Sequence, residues 1–250
     1  MSELNARTAL VTGGSQGIGR AIAKALAAAG CRVLVNCAHN RENAERVAAE
    51  IRAAGGNAEP LLCDVSDEAA VEAVFDRLEN ASGVDILINN ARLDPWQRRP
   101  EMSAGEWFDR VMAVNLKGAY LCSEAFFRRA KKRHWGRIVN MASVRSFRPA
   151  EPDMIAYGVS KLGMHALTRA YAHNGAPFGI TANTVCPGMV VTENINKRLT
   201  PEKYAEESAA IPLGRGATSE EIADAVLFAV RNGYVTGETI NINGGMYYAP

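Results

Sequence analysis

Thr12-Gly-Gly-Ser-Gln-Gly-Ile-Gly19 is a glycine-rich turn that lies between a short apolar, β-branched run and an alanine-rich stretch of helical period. Gly13 permits a tight turn, Gly17 lets the backbone approach a pyrophosphate, and Gly19 allows the helix to pack closely on the strand. The helix N-terminus beyond the turn adds unpaired N–H groups and a partial positive charge. Because this strand–turn–helix context is present, the stretch predicts a dinucleotide-binding α/β unit.

Short β-branched runs and longer stretches of helical period alternate along the chain. The predicted strands are Thr8–Thr12, Arg32–Asn36, Glu59–Cys63, Asp85–Asn89, Arg137–Met141, Ile180–Val185 and Thr239–Ile242. The predicted helices are Gly17–Ala29, Glu42–Ala54, Asp67–Asn80 with Ser66 as its N-cap, Trp107–Arg133 and Ala156–Asn174. Such alternation favours right-handed crossovers and a parallel sheet. We therefore expect one α/β domain over residues 1–250, a Rossmann-like, doubly wound parallel sheet of seven strands with helices on both faces.

Residues 187–211 interrupt this alternation with a long, polar and weakly periodic stretch after the sixth strand. Long loops in compact domains often serve as lids or binding loops. We expect a substrate lid here, and a solvated helical hairpin without a role is the alternative.

The charge balance argues against a nucleic-acid binder. The 250 residues include 28 Lys and Arg against 27 Asp and Glu, a net charge of +1, whereas proteins that neutralise phosphates usually carry a basic excess. The basic run Arg128–Arg137 is interpreted as the solvated end of a helix, with a nucleic-acid patch as the weaker alternative. The four histidines lack metal-ligand spacing, so no catalytic metal is predicted.

The five cysteines are dispersed, which is typical of reduced thiols in a cytoplasmic protein. The polar N-terminus lacks the pattern of a signal peptide, and no apolar run reaches the roughly 18 residues of a membrane span. We expect a cytoplasmic protein with no membrane partner.

Further motifs follow in a fixed order, and with them the chain resembles the classical short-chain dehydrogenase/reductase family. The glycine-rich turn matches the family pattern TGxxxGxG, Asp64 matches an acid that contacts the adenine, and Asn89-Asn90-Ala91 matches the NNAG motif. Asn115, Ser143, Tyr157 and Lys161 match the catalytic tetrad, and Pro187-Gly188 matches a turn beside the nicotinamide. The resemblance covers essentially the whole chain. It implies hydride transfer between a nicotinamide cofactor and a carbonyl compound or an alcohol, as in β-ketoacyl-ACP reductases and sugar or polyol dehydrogenases.

The tetrad must manage one proton, because the cofactor carries the hydride. Tyr157 and Lys161 are four residues apart and project from one helix face. An ordinary tyrosine pKa of about 10 suits proton transfer poorly near neutrality, and an adjacent Lys161 ammonium lowers that pKa. Ser143 would donate a hydrogen bond to the substrate oxygen. The resemblance gives Asn115 the role of anchoring a water and Lys161 that of holding the nicotinamide ribose.

NADP is favoured over NAD as the cofactor, although NAD stays possible. The second strand runs into Asn36-Cys-Ala-His-Asn-Arg41 with no acid before Glu42, so His39 or Arg41 could bind a 2′-phosphate. Arg41 as a plain surface residue is the alternative, and Gln16 stands where many NADP-using relatives have a basic residue. The predicted cofactor-binding residues are Gly13, Ser15, Gln16, Gly17, Ile18, Gly19, Asn36, His39, Arg41, Asp64, Val65, Asn90, Ala91, Tyr157, Lys161, Pro187, Gly188, Val190 and Thr192.

Two arginines depart from the family pattern. Arg92 replaces the glycine of NNAG, and Arg145 follows Ser143. We expect both to bind an anionic substrate, because guanidinium groups suit carboxylates and phosphates, and ion pairs with nearby acids are the alternative. Arg92 also motivates a competing hypothesis, a cofactor-binding regulatory protein with weak or no catalysis. The resemblance further implies a homotetramer built through the helices Trp107–Arg133 and Ala156–Asn174.

Overall fold

The computed structural model describes residues 4–148, 151–193 and 199–248, and its main sheet contains seven parallel strands. In chain order the strands are β1 Thr8–Val11, β2 Arg32–Cys37, β3 Asn57–Leu62, β4 Ile86–Asn89, β5 Gly136–Met141, β6 Ile180–Pro187, β7 Val190–Val191, β8 Ala217–Thr218 and β9 Thr239–Ile242. The main sheet has the order β3-β2-β1-β4-β5-β6-β9, and β7 pairs with β8 separately. The predicted seven-stranded, doubly wound parallel sheet is confirmed.

Helices cover both faces of this sheet. They are α1 Gly17–Ala28, α2 Arg41–Ala53, α3 Glu68–Glu79, α4 Ala104–Met112, α5 Gly118–Arg133, α6 Ile155–Gly175, α7 Pro201–Ala209 and α8 Ser219–Arg231. Successive strand residues point to opposite faces, so Val11 and Ile88 lie in the core beneath α1, α2 and α8. Leu10 and Leu87 lie in the core beneath α3, α5 and α6.

The predicted single helix Trp107–Arg133 is wrong in one respect. A five-residue π-helical segment, Ala113–Lys117, separates α4 from α5 and carries the buried Asn115. Such segments are rare and are often found at functional sites. Helical periodicity in the sequence does not distinguish this local widening from a continuous α-helix.

Two helix starts also differ from expectation. Ser66 is not the N-cap of α3, because the helix begins at Glu68 and the Asp67 side chain accepts from the Ala70 N–H at 3.1 Å. α8 was not among the predicted helices. Its capping box, formed by Thr218 and Glu221, is a recognisable start signal.

The basic run at the end of α5 is only partly the solvated terminus that was predicted, because Arg128 and Lys132 are exposed whereas Arg137 is buried. Arg128, Arg129 and Arg133 form ion pairs with acids on α3, namely Glu72, Asp76 and Glu79. Arg137 is buried, and its Nε donates to the Val230 carbonyl at 3.0 Å. These pairs bind α5 and β5 to their neighbours, so the run has a packing role.

The stretch 187–211 begins at the last residue of β6 and contains β7 and α7, with residues 194–198 outside the described part of the chain. β7 pairs with β8, which leads directly into α8. The lid therefore stays a prediction.

In the described ranges, no helix combines the length and hydrophobicity needed to cross a bilayer. All five cysteines are buried and unpaired.

A chain of buried polar side chains joins the centre of the sheet to the helices beneath it. The Asn89 amide donates to Ser123 Oγ at 2.9 Å and to Asn140 Oδ1 at 2.8 Å. The Asn140 amide donates to Thr168 Oγ1 at 2.8 Å, and Thr168 pairs with Thr184 at 2.7 Å. Buried polar groups are costly unless they are paired, so this network fixes α5 and α6 on β4, β5 and β6.

The substitution Asn140→Ala tests this network. It removes the acceptor of Asn89 and the donor to Thr168, so the free energy of unfolding should fall by about 2 kcal/mol. Asn174→Ala on the exposed end of α6 is the matched control and should change that free energy by less than about 0.5 kcal/mol. Urea unfolding measures both, and equal values for the two variants would contradict the assignment.

Candidate active site

The glycine-rich turn follows β1 and has the backbone geometry that its sequence predicts. Gly13 and Gly17 adopt φ values of 61° and 49°, in the left-handed region that favours glycine. A Cβ on Gly19 would lie 2.3 Å from the Gly13 carbonyl oxygen and 2.6 Å from Asn90 Nδ2. Gly19 is therefore needed for contact with the turn itself and with the loop after β4.

The loop after β4 holds this turn through Thr12 and Asn90. Thr12 Oγ1 accepts from the N–H groups of Asn90 at 2.9 Å and Ala91 at 3.0 Å, and donates to the Ile88 carbonyl at 3.1 Å. Asn90 Nδ2 donates to the carbonyls of Thr12 at 2.9 Å and Gly13 at 3.1 Å. The sequence analysis missed Thr12 as a site residue, although a polar residue at the end of a buried strand is a usable signal.

The N-terminus of α1 faces a cavity of about 530 Å³ at the carboxyl ends of β1 and β4. Its N-cap, Gln16, is exposed, and its side chain makes no capping hydrogen bond. The cavity is lined by Gly13, Gln16, Gly17, Asn90, Ala91, Arg92, Asp94, Trp96, Gln97 and Thr192. An open helix N-terminus beside glycine backbone fits a pyrophosphate, and the strand order reverses at this point, where α/β sheets bind dinucleotides.

The predicted adenosine-side residues divide into exposed and internally bonded groups. His39 and Arg41 are exposed at the start of α2, where they are accessible to a 2′-phosphate. The buried Asn36 accepts from the Gly13 N–H at 3.3 Å and donates to the Cys63 carbonyl at 2.9 Å, so it supports the turn from beneath. Asp64 Oδ1 accepts from the Ser66 hydroxyl at 2.7 Å.

Other predicted cofactor residues are largely buried around these loops. Ser15, Ile18, Val65, Pro187, Val190 and Thr192 are buried, and Gly188 is half-buried. Val65 lies against the start of α5, where a Cβ on Gly118 would come within 2.7 Å of Val65 Cγ2. Thr192 lines the cavity described above, whereas Val65 and Ile18 contribute to the cores on either side of the sheet.

Ser143, Tyr157 and Lys161 come together at the carboxyl end of β5. The Ser143 side chain lies close enough to Tyr157 to lower the pKa of the phenol. Lys161 is 1% exposed, its Nζ donates to the Met141 carbonyl at 2.8 Å, and the same nitrogen lies 5.6 Å from the Tyr157 ring centroid. The fold thus places a hydroxyl, a phenol and an amine side by side.

Asn115 connects this group to the loop after β4. Its Oδ1 accepts from the Leu93 N–H at 2.7 Å, and its Nδ2 donates to the Leu93 carbonyl at 3.1 Å and to Ser160 Oγ at 3.3 Å. Ser160 in turn donates to the Tyr157 carbonyl at 2.7 Å. The Asn115 amide therefore positions both the loop and α6.

Burial dominates the electrostatics of the tetrad. It raises the pKa of Tyr157, whereas the Arg92 charge and the hydrogen bond from Ser143 lower that pKa. Burial, and then the repulsion from Arg92, lowers the pKa of Lys161 to about 7. Lys161 is therefore only partly charged near neutrality, and the cation that acts most strongly on Tyr157 is Arg92.

Both unusual arginines form ion pairs with neighbouring acids. Arg92 Nε donates to Asp94 Oδ1 at 2.6 Å, with side-chain exposures of 26% and 11%. Arg145 Nη1 lies 3.2 Å from Glu151 Oε2, and that glutamate side chain is 62% exposed. Neither acid was predicted as a site residue. Their spacing of two and six residues from the arginines is the signal that could have found them.

A family model for short chain dehydrogenases matches residues 7–203. The chain is 36% identical to a 3-oxoacyl-(acyl-carrier-protein) reductase of Aquifex aeolicus over 98% of this chain and 99% of the relative. It is 38% identical to an acetoacetyl-CoA reductase of Rhizobium meliloti over 97% and 99%. A crystal structure of a gluconate 5-dehydrogenase from Burkholderia cenocepacia, in complex with NADP and tartrate, superimposes with a TM-score of 0.85 at 31% identity, covering 97% of this chain and 95% of that one.

The match to the family model and the full-length relatives agree with the sheet order and with the turn geometry. They support NAD(P)-dependent hydride transfer and give no support to the regulatory alternative. The chain therefore belongs to the short-chain dehydrogenase/reductase family.

Proposed function

We propose that this protein is an NADP-preferring reductase of carbonyl compounds, or a dehydrogenase of the corresponding secondary alcohols, with Ser143, Tyr157 and Lys161 at the reacting groups. The observation that carries this proposal is the buried position of Lys161, whose Nζ lies 5.6 Å from the Tyr157 ring centroid and donates to the Met141 carbonyl at 2.8 Å, with Ser143 close enough to lower the pKa of the phenol. A hydroxyl beside a phenol can bind one carbonyl oxygen through two donors. This arrangement suits a reaction in which negative charge develops on that oxygen.

Bound NADPH would supply the hydride in reduction, and bound NADP⁺ would accept it in oxidation. The residues that would hold it are the N–H groups of the glycine-rich turn for the pyrophosphate, and Lys161 for the nicotinamide ribose. Ser143 donates a hydrogen bond to the substrate oxygen, and Tyr157 donates its proton to the same oxygen during reduction. In oxidation the Tyr157 phenolate takes the proton from the substrate hydroxyl.

The preference for NADP is supported by the end of β2. No acid stands there to bind a ribose 2′-hydroxyl or to repel a 2′-phosphate, and His39 and Arg41 are both exposed at that point. The B. cenocepacia enzyme, whose structure superimposes on this chain, is in complex with NADP. A phosphate on Arg41 would form a charge-assisted hydrogen bond.

Tyr157→Phe tests the proposed reaction. Loss of the hydroxyl should lower kcat/KM with NADPH by about 10²–10⁴-fold, the contribution expected of a positioned proton donor. NADPH binding, followed by fluorescence, should be retained, and Tyr234→Phe at a fully exposed position is the matched control. The decay of NADPH and NADH absorbance is measured with a panel of ketones. A wild-type rate in Tyr157→Phe would sink the proposed roles, and a higher kcat/KM with NADH would sink the NADP preference.

We infer that the substrate is anionic and that, of the two arginines, Arg145 is the more available for it. Its ion pair with Glu151 involves an exposed carboxylate, and exposed ion pairs contribute only about 0–1 kcal/mol, so a substrate carboxylate can compete with Glu151. The Arg145 N–H also donates to Ser143 Oγ at 3.2 Å, which keeps this residue next to the tetrad. Arg92 is held by the less exposed Asp94, and its terminal nitrogens can also face an anion.

Arg145→Ala tests the anionic substrate. The KM for a 3-oxo acid should rise about tenfold or more, because hydrogen bonds to charged groups contribute about 1.5–3 kcal/mol. The KM for the methyl ester of the same acid should stay within about twofold of wild type. Arg148→Ala, at an exposed position of the same loop, is the control. An unchanged KM for the acid in Arg145→Ala would end the hypothesis.

We also infer that the chain is one domain and that residues 187–211 form its substrate lid. Thr192, which belongs to this stretch, lines the cavity, and this supports the inference. Slower hydrogen exchange of these residues with NADP and substrate bound is the expected result, and unchanged exchange would contradict the lid.

We place the protein in the cytoplasm, because its five cysteines are buried and unpaired, and cell fractionation tests this placement.

A homotetramer is the assembly that we propose, and the support is the apolar outer face of α6. Ile155, Val159 and Leu162 are 55%, 45% and 51% exposed, more apolar surface than a free helix face usually shows. Light scattering should give four times the 26.9 kDa chain mass, and Leu162→Glu should reduce that mass by burying a charge at the interface. A monomeric mass for the wild-type protein would contradict the proposal.

A further inference from the structure

Arg92 stands where the family motif NNAG has its glycine, and it brings a guanidinium to the wall of the cofactor cavity. Its Nε hydrogen-bonds Asp94 at 2.6 Å, and both side chains are mostly buried. A guanidinium stays protonated at every working pH. This chain therefore places a permanent charge at a position where a glycine places none.

The backbone that carries Arg92 and Asp94 is held against the tetrad. Leu93, between Arg92 and Asp94, is bound through both its N–H and its carbonyl by the Asn115 amide. Asn115 also bonds Ser160, and Ser160 bonds the Tyr157 carbonyl. The ion pair is thus connected to the helix that carries Tyr157 by three consecutive side-chain contacts, without a flexible linker.

Four elements carry the groups that act on the Tyr157 phenol. Arg92 and Asp94 lie on the loop after β4, Ser143 at the end of β5 and Cys186 on β6, and Lys161 on α6 has its Nζ 5.6 Å from the ring centroid. Arg92 favours the phenolate, and Asp94 and Cys186 oppose it. The pKa of Lys161 is lowered to about 7, so Lys161 loses its charge as the pH rises above neutrality. Arg92 keeps its charge over the same range.

We propose that Arg92 is a positioning residue that holds a permanent positive charge against Tyr157, with Asp94 anchoring the guanidinium and moderating its effect. The proposal deepens the proposed function, because it concerns the group that exchanges a proton with the substrate. In alcohol oxidation the substrate O–H bond breaks and its proton passes to the Tyr157 oxygen. Arg92 favours the ionised phenol that takes this proton, so it extends oxidation to lower pH.

The pH profile of kcat for alcohol oxidation, at saturating NADP, tests this role. Oxidation needs the phenolate, so kcat should rise with pH through the pKa of Tyr157. Arg92→Gln should move this rise upward by about one pH unit. At a fixed pH below the midpoint, kcat would then be approximately tenfold lower than in wild type. Asp94→Asn should move it downward, and Arg92→Lys, which keeps the charge, should stay near wild type.

Profiles of Arg92→Gln and Asp94→Asn that superimpose on wild type, or that move in the same direction, would overturn the proposal. A purely structural role for Arg92 would lower kcat at all pH values alike. It would leave the midpoint unchanged, and it would not give opposite shifts for the two partners. Should Arg92→Gln fail to fold, Asp94→Asn still carries the test through the downward direction of its shift, and Arg92→Lys through the absence of a shift.

A second readout does not depend on turnover. The tyrosinate absorbance of the NADP complex is titrated, and the curve of Tyr157→Phe is subtracted to isolate Tyr157. The midpoint should be higher in Arg92→Gln than in wild type when each is corrected by its own Tyr157→Phe variant, and an equal midpoint would overturn the proposal. If no variant oxidises any alcohol while the titration still shows the shift, the proposed function fails and the electrostatic role of Arg92 stands.

Discussion

The hydrogen bonds between Thr12 and Asn90 are the constraint on which the rest of the site depends. They join the ends of β1 and β4, the neighbouring strands at which the sheet order reverses. Each of these polar groups is buried, so each bond must be made for the fold to be stable. The same bonds fix the glycine-rich turn relative to the loop that carries Arg92. The glycine-rich turn and the loop after β4 are therefore aligned by one junction.

Charge at the tetrad is governed by how little water reaches it. Lys161 is almost fully buried, and this burial draws its pKa down towards neutrality. Arg92 and Asp94 then become the strongest fixed charges near the phenol, at a position where the family motif supplies only backbone. The fold is common to the family, and the electrostatics of this member differ through one side chain and its partner.

Local patterns predicted much of this protein, and long-range contacts account for what they missed. The strands, the glycine-rich turn and the gathering of Ser143, Tyr157 and Lys161 follow from periodicity and from family motifs. The π-helical break at Ala113–Lys117 does not, because periodicity cannot register one added residue in a turn. The burial of Arg137 was equally hidden, since its carbonyl partners on α8 and beyond α6 are distant in sequence.

The widened turn around Asn115 also bears on how this chain can vary. Each residue of an α-helix advances the side chains by about 100°, so removing one residue from Ala113–Lys117 would restore a regular helix and rotate everything before it out of phase. Asn115 would then lose its hydrogen bond with either Leu93 or Ser160. The Asn115 side chain must reach both hydrogen-bond partners at once, and this requirement restricts insertions and deletions in this segment. It does so although a regular α-helix would be the more stable local conformation.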